Sequence, residues 1–223
     1  MSVEAEEFLA FSYKINDYIS ALMFGMDMNA RNYDYRDIWD YIMGDQIILR
    51  KYPFNGKARQ NISGMIVKDD LEVTLAVNNN MAIKRQNFTI SHELIHYLYH
   101  LNEDTPVFTD DKVSLAYSSA DVLPEFQANI GASVILLPDP VLISELKQQK
   151  SIAYVSAEYG ISEAAIFTRL VQTMQARFNA SYITAYKLAN KIMQGRAKHQ
   201  MIELGKNLER LIEMEHSLYE VIK

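Results

Sequence analysis

The sequence predicts an α+β protein in which a small, mostly antiparallel sheet leads into one chemistry-bearing helix, with helical regions on both flanks. Three observations carry this reading. Between Gln46 and Val77, β-branched and apolar residues fall in short runs broken by Pro53, Gly56 and Lys68-Asp69-Asp70, the punctuation of strands and a hairpin. From Phe88 to His100 the pattern turns helical and places His92, Glu93 and His96 together. Before and after, apolar residues recur at a spacing nearer 3.6 than 2.

Composition narrows the function classes. A chain of 223 residues can hold one good core with a satellite region, or two small domains. With 49% apolar and 22% charged residues it is globular rather than disordered. A net charge of -6 removes any global electrostatic case for binding nucleic acid or an acidic membrane and leaves only a local basic patch open. Cysteine is absent, so disulfides and thiolate chemistry are excluded and any metal must be held by His, Asp or Glu. The acidic start, with Glu4, Glu6 and Glu7, precedes no uninterrupted apolar run and reads as neither secretory signal nor anchor. No stretch approaches a membrane span. The expectation is a soluble cytoplasmic protein.

In chain order, Glu4 to about Met28 carries Phe8, Phe11, Ile15, Ile19 and Leu22 on one stripe, an amphipathic helix. Its aromatic residues are read first as core, with a partner surface or substrate groove as the functional alternatives. A second helix runs from Asp34 to Met43, started by Asp34 or Asn32 and stopped by Gly44. Strands follow at Gln46–Tyr52, Ile62–Val67 and Leu71–Val77, the last alternating Leu71, Val73, Leu75 and Val77 with more polar neighbours. Asn78-Asn79-Asn80 is a turn, and Thr89 or Ser91 lies near the start of the next helix. Such a sheet can hold an extended peptide along an edge strand, although sequence does not say which strand is the edge.

That next helix asks for a metal. His92 and His96 stand four residues apart, so both imidazoles leave one face a turn apart and can share an ion, while Glu93 beside them can accept a proton from a water the metal activates. The bland alternative is a pair of partly exposed histidines on an ordinary amphipathic helix. Zinc also needs a third protein ligand. His100 continues the spacing but is too far along the axis to close on the same ion, and is read as a residue favoured by the helix C-terminus.

Beyond it, Asn102–Asp111 reads as an acidic surface loop, Val113–Tyr117 as a short element and Ser118–Asp121 as a turn. Leu123–Leu137 is an apolar helix with Pro124 in its first turn, stopped by Pro138 and Pro140. Glu125 at its start either faces back toward the two histidines as the third ligand or merely complements the helix dipole, and position alone does not choose. After a helix from Val141 to about Lys150, residues 151–171 outline a helix-turn-helix with Ser156 and Ser162 as caps and Gly160 in the turn. Arg169 is the lone basic residue on its second helix before Gln172, so a structural or protein-recognition use is favoured over reading DNA. Phe178–Met193 and Gln200–Ile222 are helical. The latter stripe, with Ile202, Leu208, Leu211, Ile212, Leu218, Val221 and Ile222, suits packing within the chain first, then a partner or self-association. His199 and His216 are read as solvated.

Taken together, Arg85-x-x-Phe88, the run Ser91-His92-Glu93-x-x-His96-x-x-x-His100 and the later Glu125-x-x-Ala128-Asn129-x-x-Ala132, ending in Pro138, closely resemble the ImmA/IrrE family of zinc metallopeptidases. Its members occur on phages and mobile elements and as stress-response regulators. Ser63-Gly64, the hairpin, Asn78, Ser156 and Arg169-Leu170 extend the resemblance over roughly residues 45–175. It implies a zincin-like core in which His92, His96 and Glu125 bind Zn2+, Glu93 activates the water, and Asn129 belongs to the shell around the third ligand. It also implies a protein substrate, a helix-turn-helix repressor encoded nearby. Ile95 departs from the family, where many relatives have Gly, and is expected to narrow the space beside the ion. The acidic loop before Glu125 is expected to shape substrate access. Tyr97, Tyr117 and His100, in that order, are the candidates for stabilising the oxyanion.

The expected organisation is an N-terminal helical region (1–44), a zincin-like metallopeptidase core (45–141), a helix-turn-helix-like segment (142–178) and a C-terminal helical tail (179–223). The leading function is a zinc endopeptidase of narrow specificity. The alternative is a regulatory binding module whose zinc site is structural or vestigial, and direct DNA binding through residues 151–170 is a third and disfavoured class.

Overall fold

Residues 3–101, 107–111 and 123–222 are described by the computed structural model. Helix α1 (Val3–Gly25) buries Phe8, Phe11, Ile15, Ile19 and Leu22, so its aromatic stripe is core. Helix α2 (Tyr35–Met43) is capped by Asp34, whose carboxylate accepts from the Arg36 N–H, and Gly44 closes it at a φ of 48° that favours glycine. Strand β1 (Ile47–Tyr52) is followed by α3 (Gly56–Asn61), a short helix the sequence reading missed because it buries no side chain and so has no apolar period. Strands β2 (Ile62–Lys68) and β3 (Val73–Asn78) form the hairpin, and β4 (Val107–Asp111) completes a sheet of order β1-β3-β2-β4.

The β2–β3 and β2–β4 pairs are antiparallel, as expected for most of the sheet, while β1 runs parallel to β3. Two details differ from the sequence reading. Leu71 does not open the alternating face: it is 94% exposed in the turn, where Asp69 Oδ1 accepts from the Leu71 and Glu72 N–H groups. Val107–Asp111 is a strand rather than loop, since it finds backbone partners on β2. The rest of that acidic stretch, with Val113–Tyr117 and Ser118–Asp121, lies outside the described residues.

Helix α4 (Ile83–Tyr99) lies against β2 and β3 and carries the His-Glu-x-x-His sequence. It starts earlier than expected, so Thr89 and Ser91 are not near its start but mid-helix and fully buried; Ser91 Oγ accepts from Trp39 Nε1 at 2.9 Å. Helix α5 (Leu123–Leu136) packs on α4 and is covered from the other side by α1. Pro138 ends that run and caps α6 (Asp139–Lys147).

Helices α7 (Ile152–Glu158) and α8 (Glu163–Phe178) meet at Gly160, whose φ of 57° makes the turn. Ser162 caps α8 as expected, but Ser151 rather than Ser156 caps α7. Ser156 is buried inside α7, donating to the Ile161 carbonyl at 2.6 Å and accepting from Lys84 Nζ at 2.7 Å. Asn87 Nδ2 donates to the Gly160 carbonyl at 3.1 Å, so α4 is bonded to the turn itself. Arg169 points inward: only 2% exposed, it pairs with Asp139 Oδ1 at 2.6 Å and donates to the Ser133 and Leu137 carbonyls at the end of α5. Burial lowers its pKa against the opposing pull of Asp139. A guanidinium so enclosed cannot enter a nucleic-acid groove.

Helix α9 (Tyr182–Met193) leads to α10 (Lys198–Ile222), which packs on α6. The buried stripe of α10 is Met201, Leu204, Gly205 and Leu208, with Ile202, Leu211 and Ile212 half-buried beside it. His199 is exposed, while the side chains of His216, Leu218, Val221 and Ile222 lie outside the description. Among the described residues no single helix is long and apolar enough to cross a membrane; α5 and α6 together would be, but they are bent by 55° and form the core.

Candidate active site

The crossing of α4 and α5 brings together residues 33 positions apart in sequence. His92 Nε2 and His96 Nε2 lie 3.0 Å from each other, and each is 3.2 Å from a different oxygen of Glu125. Both imidazoles are fully buried and Glu125 is 9% exposed. This decides between the two readings of Glu125: its carboxylate faces the histidines.

The protonation of this cluster fits a cation. Asn129, one turn beyond Glu125 on α5, places Oδ1 3.2 Å from His92 Nδ1, so that nitrogen carries the proton and His92 Nε2 keeps its lone pair. Burial pushes the His96 imidazole down to about 4, against the raising effect of Glu125, and His100 is likewise lowered by burial. Burial works against charge on Glu125, yet the facing His92 and His96 rings outweigh it and hold its carboxyl down at about 2. A His96 imidazole kept neutral by burial and an ionised Glu125 carboxylate are the states in which those two groups ligate a metal. Tetrahedral zinc with ligand bonds of roughly 2.0–2.1 Å puts its donors about 3.3 Å apart, close to the 3.0–3.2 Å found here. Among the described residues His92, His96 and Glu125 are the group able to hold a metal, their ligand atoms within 4.8 Å of one another. Two His and one Glu leave a fourth position for water, the arrangement of a catalytic rather than a structural zinc site.

Glu93 follows His92 on α4 and is fully buried. It sits beneath β2 at Gly64, where a Cβ would lie 2.4 Å from Thr89 Cγ2, 3.0 Å from the Ala76 carbonyl and 3.4 Å from Glu93 Oε1. Only glycine lets the strand approach the helix this closely.

The other expected site residues separate. Tyr97 donates its hydroxyl to Gln46 Oε1 at 2.7 Å. His100 stands behind His96, with its Nδ1 3.0 Å from His96 Nδ1, the ring nitrogen opposite the ligand atom, and its Nε2 2.8 Å from Gln127 Oε1. Tyr117 lies outside the described residues. Ile95 is fully buried against Gly131 of α5, where a Cβ would come within 2.5 Å of its Cγ1 and Cδ1, so glycine across the crossing takes up its bulk. Sequence reasoning missed Gln127 and Gly131; an isolated Gly inside the apolar helix was the one available signal of a close crossing.

No curated protein matches this sequence. A peptidase family model described as the IrrE N-terminal-like domain matches residues 54–171, from just after β1 to the middle of α8, and so takes in Gly64, the whole His-Glu-x-x-His helix and Glu125. With more than half of the chain matched and a His-Glu-x-x-His plus Glu zinc-metallopeptidase site inside the match, the chain belongs to the IrrE-like family of metallopeptidases.

Proposed function

We propose that this protein is a cytoplasmic zinc endopeptidase of narrow specificity that cleaves a helix-turn-helix transcriptional repressor, or a similar regulatory partner, encoded near it. The observation that carries the enzymatic part is the convergence of His92, His96 and Glu125, with Glu93 on the same helix. Bound zinc supplies Lewis acidity toward the scissile carbonyl and toward a water. Glu93 takes the proton of the attacking water and returns it to the leaving amine. Asn129 acts by orienting His92. Among the described residues β4 stands at the sheet edge beside β2 and suits an extended peptide pairing with its backbone.

The test is incubation of the zinc-loaded protein with the repressor encoded beside its gene, with and without chelator, followed by mass spectrometry. A single chelator-sensitive cut is the expected result. Stoichiometric zinc with an intact but tightly bound repressor would favour the alternative, a regulatory binding module without proteolysis.

A further inference from the structure

His92 has a nearby amide to fix its tautomer, whereas His96 faces another histidine, which by itself fixes nothing: two neutral imidazoles can share one proton either way. The direction is set further out. Gln127 Nε2 donates to Glu7 Oε1 at 2.7 Å, and an ionised carboxylate only accepts, so Gln127 must turn its NH2 to Glu7 and its oxygen to His100. That oxygen, 2.8 Å from His100 Nε2, requires the proton there. His100 Nδ1 is then a lone pair and accepts from His96 Nδ1 at 3.0 Å, which leaves His96 Nε2 bare toward Glu125. Phe11 of α1 stacks on the His100 ring with 6.4 Å between centroids and 16° between planes, holding it in line.

We infer that Glu7, Gln127 and His100 form a positioning relay in which a carboxylate on α1 dictates which nitrogen of His96 is offered to the metal. The inference rests on the metal-site reading above and adds to it His100 and Gln127 on the helix pair that carries the ligands, and Glu7 beyond it. Glu7 also lies outside the family-matched segment. The relay makes α1 part of the metal site's outer shell as well as a cover for the core. Its chemistry is directional: a donor at position 7 would reverse each bond in turn and place the proton on His96 Nε2, where it blocks ligation.

Competition for Zn2+ against a chromophoric chelator, on the full chain, tests this. Gln127→Met, which cuts the relay without touching a ligand, is expected to weaken zinc binding roughly 10–100-fold. Glu7→Gln can still accept and is expected to stay within about threefold of wild type, whereas Glu7→Lys should fall with Gln127→Met. Glu6→Lys, the same charge change on the exposed side of α1, should keep wild-type affinity and controls for simple repulsion. A folded Gln127→Met with wild-type affinity would overturn the relay. So would equal losses in the Gln, Lys and Glu6 variants. If Gln127→Met does not fold, the half-buried Glu7 pair decides alone. Failure of wild type itself to bind zinc would instead refute the metal-site reading.

Discussion

Replacing Asp139 with Asn should cost the fold far more than its place at a helix start suggests. Asp139 is the acid on which two buried cations depend: Arg169 at 2.6 Å and Arg177 at 3.4 Å, with side-chain exposures of 2% and 3%. Arg177 keeps Glu215 at 2.8 Å when Asp139 is neutralised. Arg169 keeps only the Ser133 and Leu137 carbonyls, which carry no formal charge. Removing one partner of a buried pair in this way costs about 3–5 kcal/mol. For a chain of this size that is roughly 6–20 °C in Tm, at about 2–4 °C per kcal/mol. Arg169→Met should cost less, because it takes the stranded charge away and leaves Asp139 paired with Arg177. The double variant should cost less than the sum of the two. Urea unfolding of the four proteins measures all three differences. An Asp139→Asn loss below about 1 kcal/mol, or one smaller than that of Arg169→Met, would refute the reasoning.

Other perturbations probe the site itself. Glu93→Gln should keep stoichiometric zinc by elemental analysis while lowering cleavage of the partner about 10²–10⁴-fold; undiminished cleavage would remove Glu93 as the base. Gly64→Ala places a methyl against Thr89 and the Ala76 carbonyl, and chemical unfolding should register about 1–3 kcal/mol of overpacking. Gly131→Ala meets the same limit at Ile95, offset by about 1 kcal/mol of helix propensity. Adding Ile95→Ala should turn the Gly131→Ala change from destabilising to stabilising, and an identical effect in both backgrounds would show that the two residues do not compete for space.

Local chemistry made much of this molecule readable from its sequence. Asp34 and Gly44 bracket α2, and Ser162 and Gly160 set the helix-turn-helix bend, because caps and left-handed turns depend on residues next to one another. His92, Glu93 and His96 were legible for the same reason, being one turn of one helix. Glu125 was not settled, since nothing in its own neighbourhood says that α5 crosses α4 at that height. Thr89, Ser91 and Ser156 misled in a common way: each is a good capping residue used instead in the interior, where the hydroxyls of Ser91 and Ser156 find the distant Trp39 and Lys84 and the methyl of Thr89 lies against the strand at Gly64. The parallel β1–β3 pair was hidden because pairing direction leaves no periodic trace in either strand. Glu7 and Gln127 belong to the same class as Glu125, brought together only by the packing of α1 on α5.

The bonds from α4 to the α7–α8 turn bear on how this protein can be divided. Asn87 reaches Gly160, Lys84 reaches Ser156, and Arg169 closes the end of α5, so the helix-turn-helix, through both helices and its turn, acts as a clasp on the peptidase helices. A fragment trimmed to residues 54–171 would cut α8 midway and strip α1 from α5, baring the surface that Phe11, Ile15 and Ile19 now cover. Such a piece would keep every metal ligand and still be a poor peptidase. An inserted reporter or a chain break is better tolerated at the α9–α10 junction around Gly195, where nothing lies within 4 Å of the missing Cβ.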